Sequence, residues 1–163
     1  DETSFSISSL ERTTIGIIQL GVPIARVELT DVNTGRMVNA HSKLSLREEP
    51  MLLMEFHGSP TGVKEQAETV QELATDHGGT AFEWATTPEE RKKLWTARHR
   101  AYFAGLQMKP GCRTVTTDTC VPISRLAESV VKASEEADAA GLVHYNAGPQ
   151  AHANSHIPPP AEP

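Results

Sequence analysis

The stretch "KKLWTARHRAYFAGLQMKPGCRTVTTDTCVPISRL", from Lys92 to Leu126, carries the clearest signals for the fold. Its first half continues a helix that starts upstream with an N-cap at Thr86 or Thr87 and with Pro88. Acidic residues lead in this helix and basic residues follow, as the helix dipole favours. The Pro-Gly pair at 110–111 ends this helix. The threonine-rich second half, residues 113–123, alternates as a β-strand does, and Ser124 begins a further helix.

Upstream of this stretch, helices and strands alternate. Asp31 can cap a helix that follows a strand, and Ser59 or Thr61 can cap a longer amphipathic helix. Residues 5–20 have the β-branched content of a strand, but their apolar spacing favours a helix. The predicted elements are a helix over 5–20, a strand over 24–31, a helix over 32–41, a strand over 51–58, a helix over about 60–77, a strand over 80–86, a helix over 87–106, a strand over 113–123 and a helix over 124–140.

This order of strands and helices, in two similar halves, predicts the α+β class with antiparallel pairs in a ferredoxin-like sandwich. Residues 1–142 are expected to form one domain, because a chain of 163 residues supports one sizeable core. From residue 143 the sequence is rich in proline and histidine and has no periodicity. Residues 143–163 are therefore predicted to be a disordered tail, which leaves the domain incomplete at its C-terminal end.

Composition excludes some classes of function. The net charge of −6 argues against a nucleic-acid binder, because phosphate binding needs a clustered basic surface. No apolar run approaches the roughly 18 to 20 residues that cross a bilayer. Cys112 and Cys120 form neither a disulfide framework nor a Cys-x-x-Cys metal site. The start at Asp1 has the character of the middle of a longer chain, and no targeting peptide is visible.

The strongest candidate for a binding residue is an arginine on the central helix. Trp95, Arg98 and Tyr102 are three and four residues apart, which places them on one helix face. An arginine on a partly aromatic face can offer a fork of donors to a carboxylate. The alternative is a surface arginine whose stem packs on Trp95, or one that pairs within the helix with Glu89 or Glu90.

The threonines of the following strand are weaker candidates. Thr114, Thr116 and Thr117 fit the lining of a cleft opposite Arg98, but alternating threonine is also ordinary strand composition. Asp118, flanked by threonines, favours hydrogen bonding at a turn or strand end over a role as a base.

The histidines give no firm metal site. Glu55 and His57 share one strand face and fit a metal pair, although an exposed polar face explains them as well. His152 and His156 have the spacing of helical metal ligands, but they lie in a proline-rich segment. The chain contains no dinucleotide-binding glycine motif, no phosphate-binding loop and no nucleophile or zinc-protease motif.

Four segments resemble the FAD-linked D-lactate dehydrogenases of mitochondria, which belong to the flavin D-2-hydroxyacid dehydrogenases. They are "ARVELTD", "MEFHGSP", "LWTARHRAYFAGLQMKPGCRTVTTDTCVPISRL" and "ESVVKASEEADAAGL", within residues 4–142. The resemblance implies a substrate-binding cap domain with a ferredoxin-like core. It also implies that Arg98, in the Trp-x-x-Arg motif, binds the substrate carboxylate, and that Tyr102 and Thr116 line the substrate pocket.

The activity that the resemblance implies is oxidation of D-lactate, or a similar D-2-hydroxyacid, to the 2-oxoacid. FAD accepts the hydride, a cytochrome or a flavoprotein then accepts the electrons, and the implied location is the mitochondrion. The FAD domain of the family precedes the position of Asp1, so a piece of a longer enzyme is expected, inactive by itself.

The sequence departs from the family pattern after residue 142. The family's His-x-Gly-Asp-Gly-Asn-x-His motif, which ligates a divalent metal, has no counterpart here, and the family's catalytic base is missing as well. His152 and His156 do not match the motif, so no metal ligand and no catalytic residue is assigned. The alternative function is a free-standing ferredoxin-like module that binds small carboxylates or a protein partner without catalysis.

Overall fold

Five antiparallel strands form one sheet in the part of the chain that the structure describes. The computed structural model describes residues 6–109, 111, 117–149 and 154–157. The strands are β1 (Ile24–Thr30), β2 (Met51–Phe56), β3 (Thr117–Cys120), β4 (Ala147–Pro149) and β5 (Asn154–Ile157). Their order in the sheet is β2-β1-β4-β5-β3, and each pairing is antiparallel. The predicted α+β class is confirmed.

Three of the described helices begin directly after a predicted capping residue, while the last one begins at Leu126, two residues after the predicted Ser124. They are α1 (Ile7–Gln19), α2 (Val32–Ser42), α3 (Pro60–Asp76), α4 (Pro88–His99), α5 (Ala101–Met108) and α6 (Leu126–Ala139), with a 3-10 turn over Ile123–Arg125. The side chains of Asp31, Ser59 and Thr87 each accept a hydrogen bond from the backbone N–H three residues on. No helix in the described ranges has both the length and the apolar character to cross a membrane.

Two predicted elements differ from the structure. Residues 80–86 form no strand, although their composition favours one. Strand propensity needs a pairing partner, and this segment instead contacts the edge strand β2 through the rings of Trp84 and Phe56, 6.5 Å apart. The single helix predicted over 87–106 is divided at Arg100, whose backbone leaves the helical conformation between α4 and α5. The predicted fourth strand is observed as β3, while residues 112–116 lie outside the described residues.

The alternation along β1 gives the sheet one polar and one apolar face at this strand. Arg26, Glu28 and Thr30 point to the face that α4 covers, where they meet residues of that helix. Val27 and Leu29 point to the opposite face and are buried. β1 pairs with β2 on one side and, from Glu28 onward, with β4 on the other. The sheet therefore fixes the backbone that carries the Glu28 side chain.

A buried carboxylate joins the end of β1 to the segment before β4. Asp31 accepts hydrogen bonds from the backbone N–H and hydroxyl of Thr34, at 2.8 and 2.7 Å, through one oxygen. Its other oxygen accepts from the backbone and side-chain nitrogens of Asn146, at 2.7 and 3.1 Å. Both residues are buried. Asp31 therefore caps α2 and also fixes the position of β4.

The prediction of a disordered tail is wrong for residues 144–149. His144, Tyr145, Asn146 and Ala147 are buried, and β4 pairs with β1. The tail was predicted from its average composition, which hides a short segment whose polar groups have specific partners. The amide of Asn146 also donates to Ser134 at 2.8 Å. The division of the chain into a domain over 1–142 and a tail over 143–163 otherwise stays a prediction.

We expect Asp31→Ala to lower the free energy of unfolding by about 3 kcal/mol or more. The substitution leaves two buried backbone N–H groups without an acceptor, at about 1 to 3 kcal/mol each. Urea unfolding of the protein measures the change. Asp76→Ala, at an exposed position of α3, is the control and should change stability by less than about 0.5 kcal/mol. Equal changes for the two variants would contradict the role given to Asp31.

Candidate functional site

Arg98 forms an ion pair with a glutamate of the central strand. Nε of Arg98 lies 2.5 Å from Oε2 of Glu28, and the two side chains are only 16% and 12% exposed. These two atoms are buried, and they lack the alignment of a hydrogen bond, so the contact is an ion pair. Pairing with Glu89 or Glu90 is not observed. The Glu90 carboxylate instead accepts from the backbone N–H of Thr87 in a capping box.

An aromatic contact fixes the same helix over β1. The guanidinium carbon of Arg26 lies 4.5 Å from the ring centroid of Trp95, the geometry of a cation–π contact. Arg26 and Glu28 are two residues apart on one face of β1, and Trp95 and Arg98 are three apart on one face of α4. The two contacts therefore lie side by side and determine how α4 sits on the sheet.

A small cavity adjoins the ion pair. It is lined by Arg98 and Leu94 of α4, by Thr30 of β1 and by Thr34 at the start of α2, with apolar side chains of β2 completing it. The cavity volume is about 10 Å³, which is room for no more than one water molecule. A small acid therefore does not fit inside it as it stands, and would meet Arg98 from the solvent side.

Two tyrosines lie within electrostatic reach of Arg98 or of each other. Tyr145 packs in the core formed by α2, α5 and β4, and burial raises the pKa of its hydroxyl, while the nearby charge of Arg98 acts in the opposite direction. Tyr102 of α5 is 44% exposed, and its ring meets that of Phe103 edge-on. The negative form of Tyr102 also raises the pKa of Tyr145, so the charges of two predicted site residues both act on this buried hydroxyl.

The remaining candidates either lie outside the described residues or have other contacts. Thr114 and Thr116 lie outside the described residues, as does His152. His57 contacts Glu55 with Nε2 to Oε1 at 3.0 Å, both on the surface. Within the described ranges, no three His, Cys, Asp or Glu side chains come together as a metal site.

The other predicted positions fall on two paired strands. Thr117 and Asp118 lie in β3, and His156 lies in β5 opposite Asp118. The roles predicted for Arg98, Tyr102 and Thr116 stay predictions.

Sequence reasoning missed the residues that surround Arg98. Glu28 was assigned only to an alternating strand, yet a signal was present, because Arg26 and Glu28 put two charges on one face of a strand that is otherwise apolar. Tyr145 was assigned to the tail. Its partner Gly105 gives no sequence signal, but a side chain on Gly105 would lie 2.6 Å from the Tyr145 ring. Close packing of this kind is visible only in three dimensions.

The family model for the C-terminal domain of FAD linked oxidases matches residues 6–160. The α+β chain thus belongs to the FAD-linked oxidase family, as its C-terminal domain. This match runs beyond residue 142, where the resemblance was expected to stop.

Three curated relatives are similar to most of the chain. It is 42% identical over 127 residues to a probable mitochondrial D-lactate dehydrogenase of Danio rerio, covering 78% of this chain and 26% of that protein. It is 38% identical over 129 residues to a mitochondrial D-lactate dehydrogenase (cytochrome) of Arabidopsis thaliana, with coverages of 79% and 23%. A protein of the same name from Kluyveromyces lactis is 32% identical over 148 residues, with coverages of 86% and 26%. The chain spans about a quarter of the length of these relatives.

We expect the buried hydroxyl of Tyr145 to make the protein less stable in alkali. Its pKa is higher in the folded state than the ordinary value of about 10. The stability that this shift contributes is present below about pH 10 and is lost as the pH rises through the folded pKa. Tyr145→Phe should therefore lose less free energy of unfolding between pH 9 and pH 11 than the unsubstituted protein, as urea unfolding can measure.

The matched control is Tyr102→Phe, which removes a hydroxyl at an exposed position. It should show most of the alkaline loss of the unsubstituted protein, because it removes only the part of the Tyr145 pKa shift that the charge of Tyr102 causes. If Tyr145→Phe loses as much stability as Tyr102→Phe over this pH interval, the buried hydroxyl is not the cause.

Proposed function

We propose that this chain is the substrate-binding domain of an FAD-dependent dehydrogenase that oxidises D-lactate, or a related D-2-hydroxyacid, to the 2-oxoacid. The observation that carries the proposal is the 42% identity to a protein named as a probable mitochondrial D-lactate dehydrogenase, over 78% of the chain. Two further relatives bear the D-lactate dehydrogenase name. The shielded arginine at the surface of α4 supports a ligand that carries a carboxylate.

The role proposed for this domain is to hold the acid. Oxidation of a 2-hydroxyacid requires that the carboxylate is bound, that the hydroxyl proton is removed and that the carbon-bound hydrogen leaves with its electron pair. FAD, when bound, accepts that hydride. Arg98 supplies charge-assisted hydrogen bonds to the carboxylate, worth about 1.5 to 3 kcal/mol. Tyr102 and Thr116 are proposed to line the pocket beside it.

The described residues fit neither of the two groups that the family resemblance implies. They contain no set of three metal-ligating side chains, and the sequence has no phosphate-binding glycine loop for a dinucleotide. We therefore assign no metal ligand and route no step through a metal. FAD is proposed to bind elsewhere in the enzyme, outside these residues.

The electron acceptor and the compartment are proposed from the relatives. Two of them are named as cytochrome enzymes, and all three names include the mitochondrion. We propose a cytochrome as the acceptor and the mitochondrion as the location. Two electrons leave each D-2-hydroxyacid, so two one-electron acceptors are reduced for each turnover.

The direct test is to purify the full-length enzyme with bound FAD and to add D-lactate without an acceptor. Bleaching of the flavin absorbance, followed by stoichiometric reduction of added cytochrome c, is the expected result. L-lactate should give much slower bleaching. If a carboxylate raises the melting temperature while no 2-hydroxyacid bleaches the flavin, the protein binds acids without this chemistry and the proposal is wrong.

We expect Arg98→Lys to lower kcat/KM for D-lactate about ten- to hundredfold, mainly through KM. Lysine retains the charge opposite Glu28 but loses the planar fork that binds a carboxylate at two points, and a hydrogen bond to a charged group is worth about 1.5 to 3 kcal/mol. Steady-state kinetics with D-lactate measures the effect. Arg91→Lys, at an exposed position of the same helix, is the control and should leave kcat/KM unchanged. An unchanged value for Arg98→Lys would remove Arg98 from the site.

A further inference from the structure

The ion pair at Arg98 uses one particular edge of the guanidinium. The buried atom is Nε, and it faces Oε2 of Glu28. A guanidinium presents two edges at which a carboxylate can bind at two points, one formed by Nε with a terminal nitrogen and the other by the two terminal nitrogens. The Glu28 carboxylate lies at Nε, which belongs to the first edge. The second edge, formed by the two terminal nitrogens, is the one at which another anion can bind.

The backbone at Glu28 is held by strand pairing on both sides. Glu28 lies near the middle of β1, opposite Leu53 of β2 and Pro149 of β4. Its side chain is only 12% exposed. A carboxylate held by a strand that is paired on both sides can fix the direction of a long arginine side chain, which otherwise loses rotamer entropy when a ligand orders it.

The charge beside the pair also permits a second carboxylate. Arg26 lies two residues before Glu28 on the same face of β1 and stacks on Trp95. Glu55, opposite Arg26 in the sheet, contacts His57. Arg26 and Arg98 thus lie on either side of one glutamate. Their positive charges offset the repulsion between the Glu28 carboxylate and an incoming carboxylate.

We propose that Glu28 is a positioning residue, which holds Arg98 through Nε so that the two terminal nitrogens meet the carboxylate of the substrate. This inference rests on the proposed function. It adds a residue of β1 to a site that the sequence pattern confines to α4, α5 and the predicted strand after them. Glu28 touches neither the substrate nor the reacting atoms, and it acts through the orientation of Arg98.

The test is Glu28→Gln in the full-length, FAD-loaded enzyme. Glutamine has almost the same shape, but it removes the charge that holds Nε. We expect KM for D-lactate and the inhibition constant of the 2-oxoacid product to rise together about tenfold, the loss of one charge-assisted contact. The value of kcat should change less than about twofold. Glu48→Gln, which breaks an exposed ion pair with Arg36, is the control and should change neither constant.

A second variant covers the case in which Glu28→Gln does not fold. Glu28→Asp retains the charge but shortens the side chain by one methylene, so the guanidinium is drawn toward the strand, and KM should rise severalfold. Unchanged KM and inhibition constants, with a lower melting temperature alone, would show a structural role and overturn the inference. A lower KM would also overturn it, because Glu28 would then compete with the substrate for Arg98. If the unsubstituted enzyme oxidises no 2-hydroxyacid, the proposed function has failed first.

Discussion

The hydrogen bonds of the Asp31 carboxylate determine how the end of β1 meets the segment that precedes β4. The carboxylate caps α2 through Thr34 and holds the backbone and side chain of Asn146. These contacts place β4 beside β1, which gives β1 a partner on both sides. A buried carboxylate is costly unless all its acceptor sites are used. Here four donors satisfy it, so the charge stabilises one arrangement and destabilises alternatives.

The polar face of β1 depends on that arrangement. β1 pairs with β4 as well as with β2 at Glu28, whereas Arg26 pairs with β2. The backbone at Glu28 is therefore held on both sides, and the two side chains meet Trp95 and Arg98 of α4. The helix cap and the charge pair are thus connected. The Asp31 cap positions β4 beside β1, and Glu28 of β1 then positions Arg98.

The local parts of the fold were predictable from the sequence, and the distant contacts were not. Asp31 was predicted as a cap, and Ser59 and Thr87 were each one of two candidates, because an N-cap interaction spans only three residues. Residues 80–86 had the composition of a strand, but strand formation depends on a neighbour that composition does not reveal. The buried segment around Asn146 was missed for the same reason, since its hydrogen-bond partner lies far upstream.

Arg98 shows the same limit at the site. The Trp-x-x-Arg pattern marked the residue as a candidate, and the family match extends across it. The pattern said nothing about the counter-ion, because Glu28 lies on an element far away in sequence. The signal that existed was a pair of charges on one face of β1, and it becomes informative only once another element is known to cover that face.

The ion pair also bears on how strongly the site should hold an acid. A guanidinium that is mostly shielded from water and has no counter-ion would be costly in the empty protein, and it would bind any small anion tightly. Glu28 lowers both the cost of shielding the charge and the affinity for small anions, because it neutralises Arg98 before a ligand arrives. Binding the ground state tightly adds nothing to kcat once substrate is abundant. For the proposed role of holding and releasing a small acid in each turnover, an arginine with a permanent partner is the better physical solution.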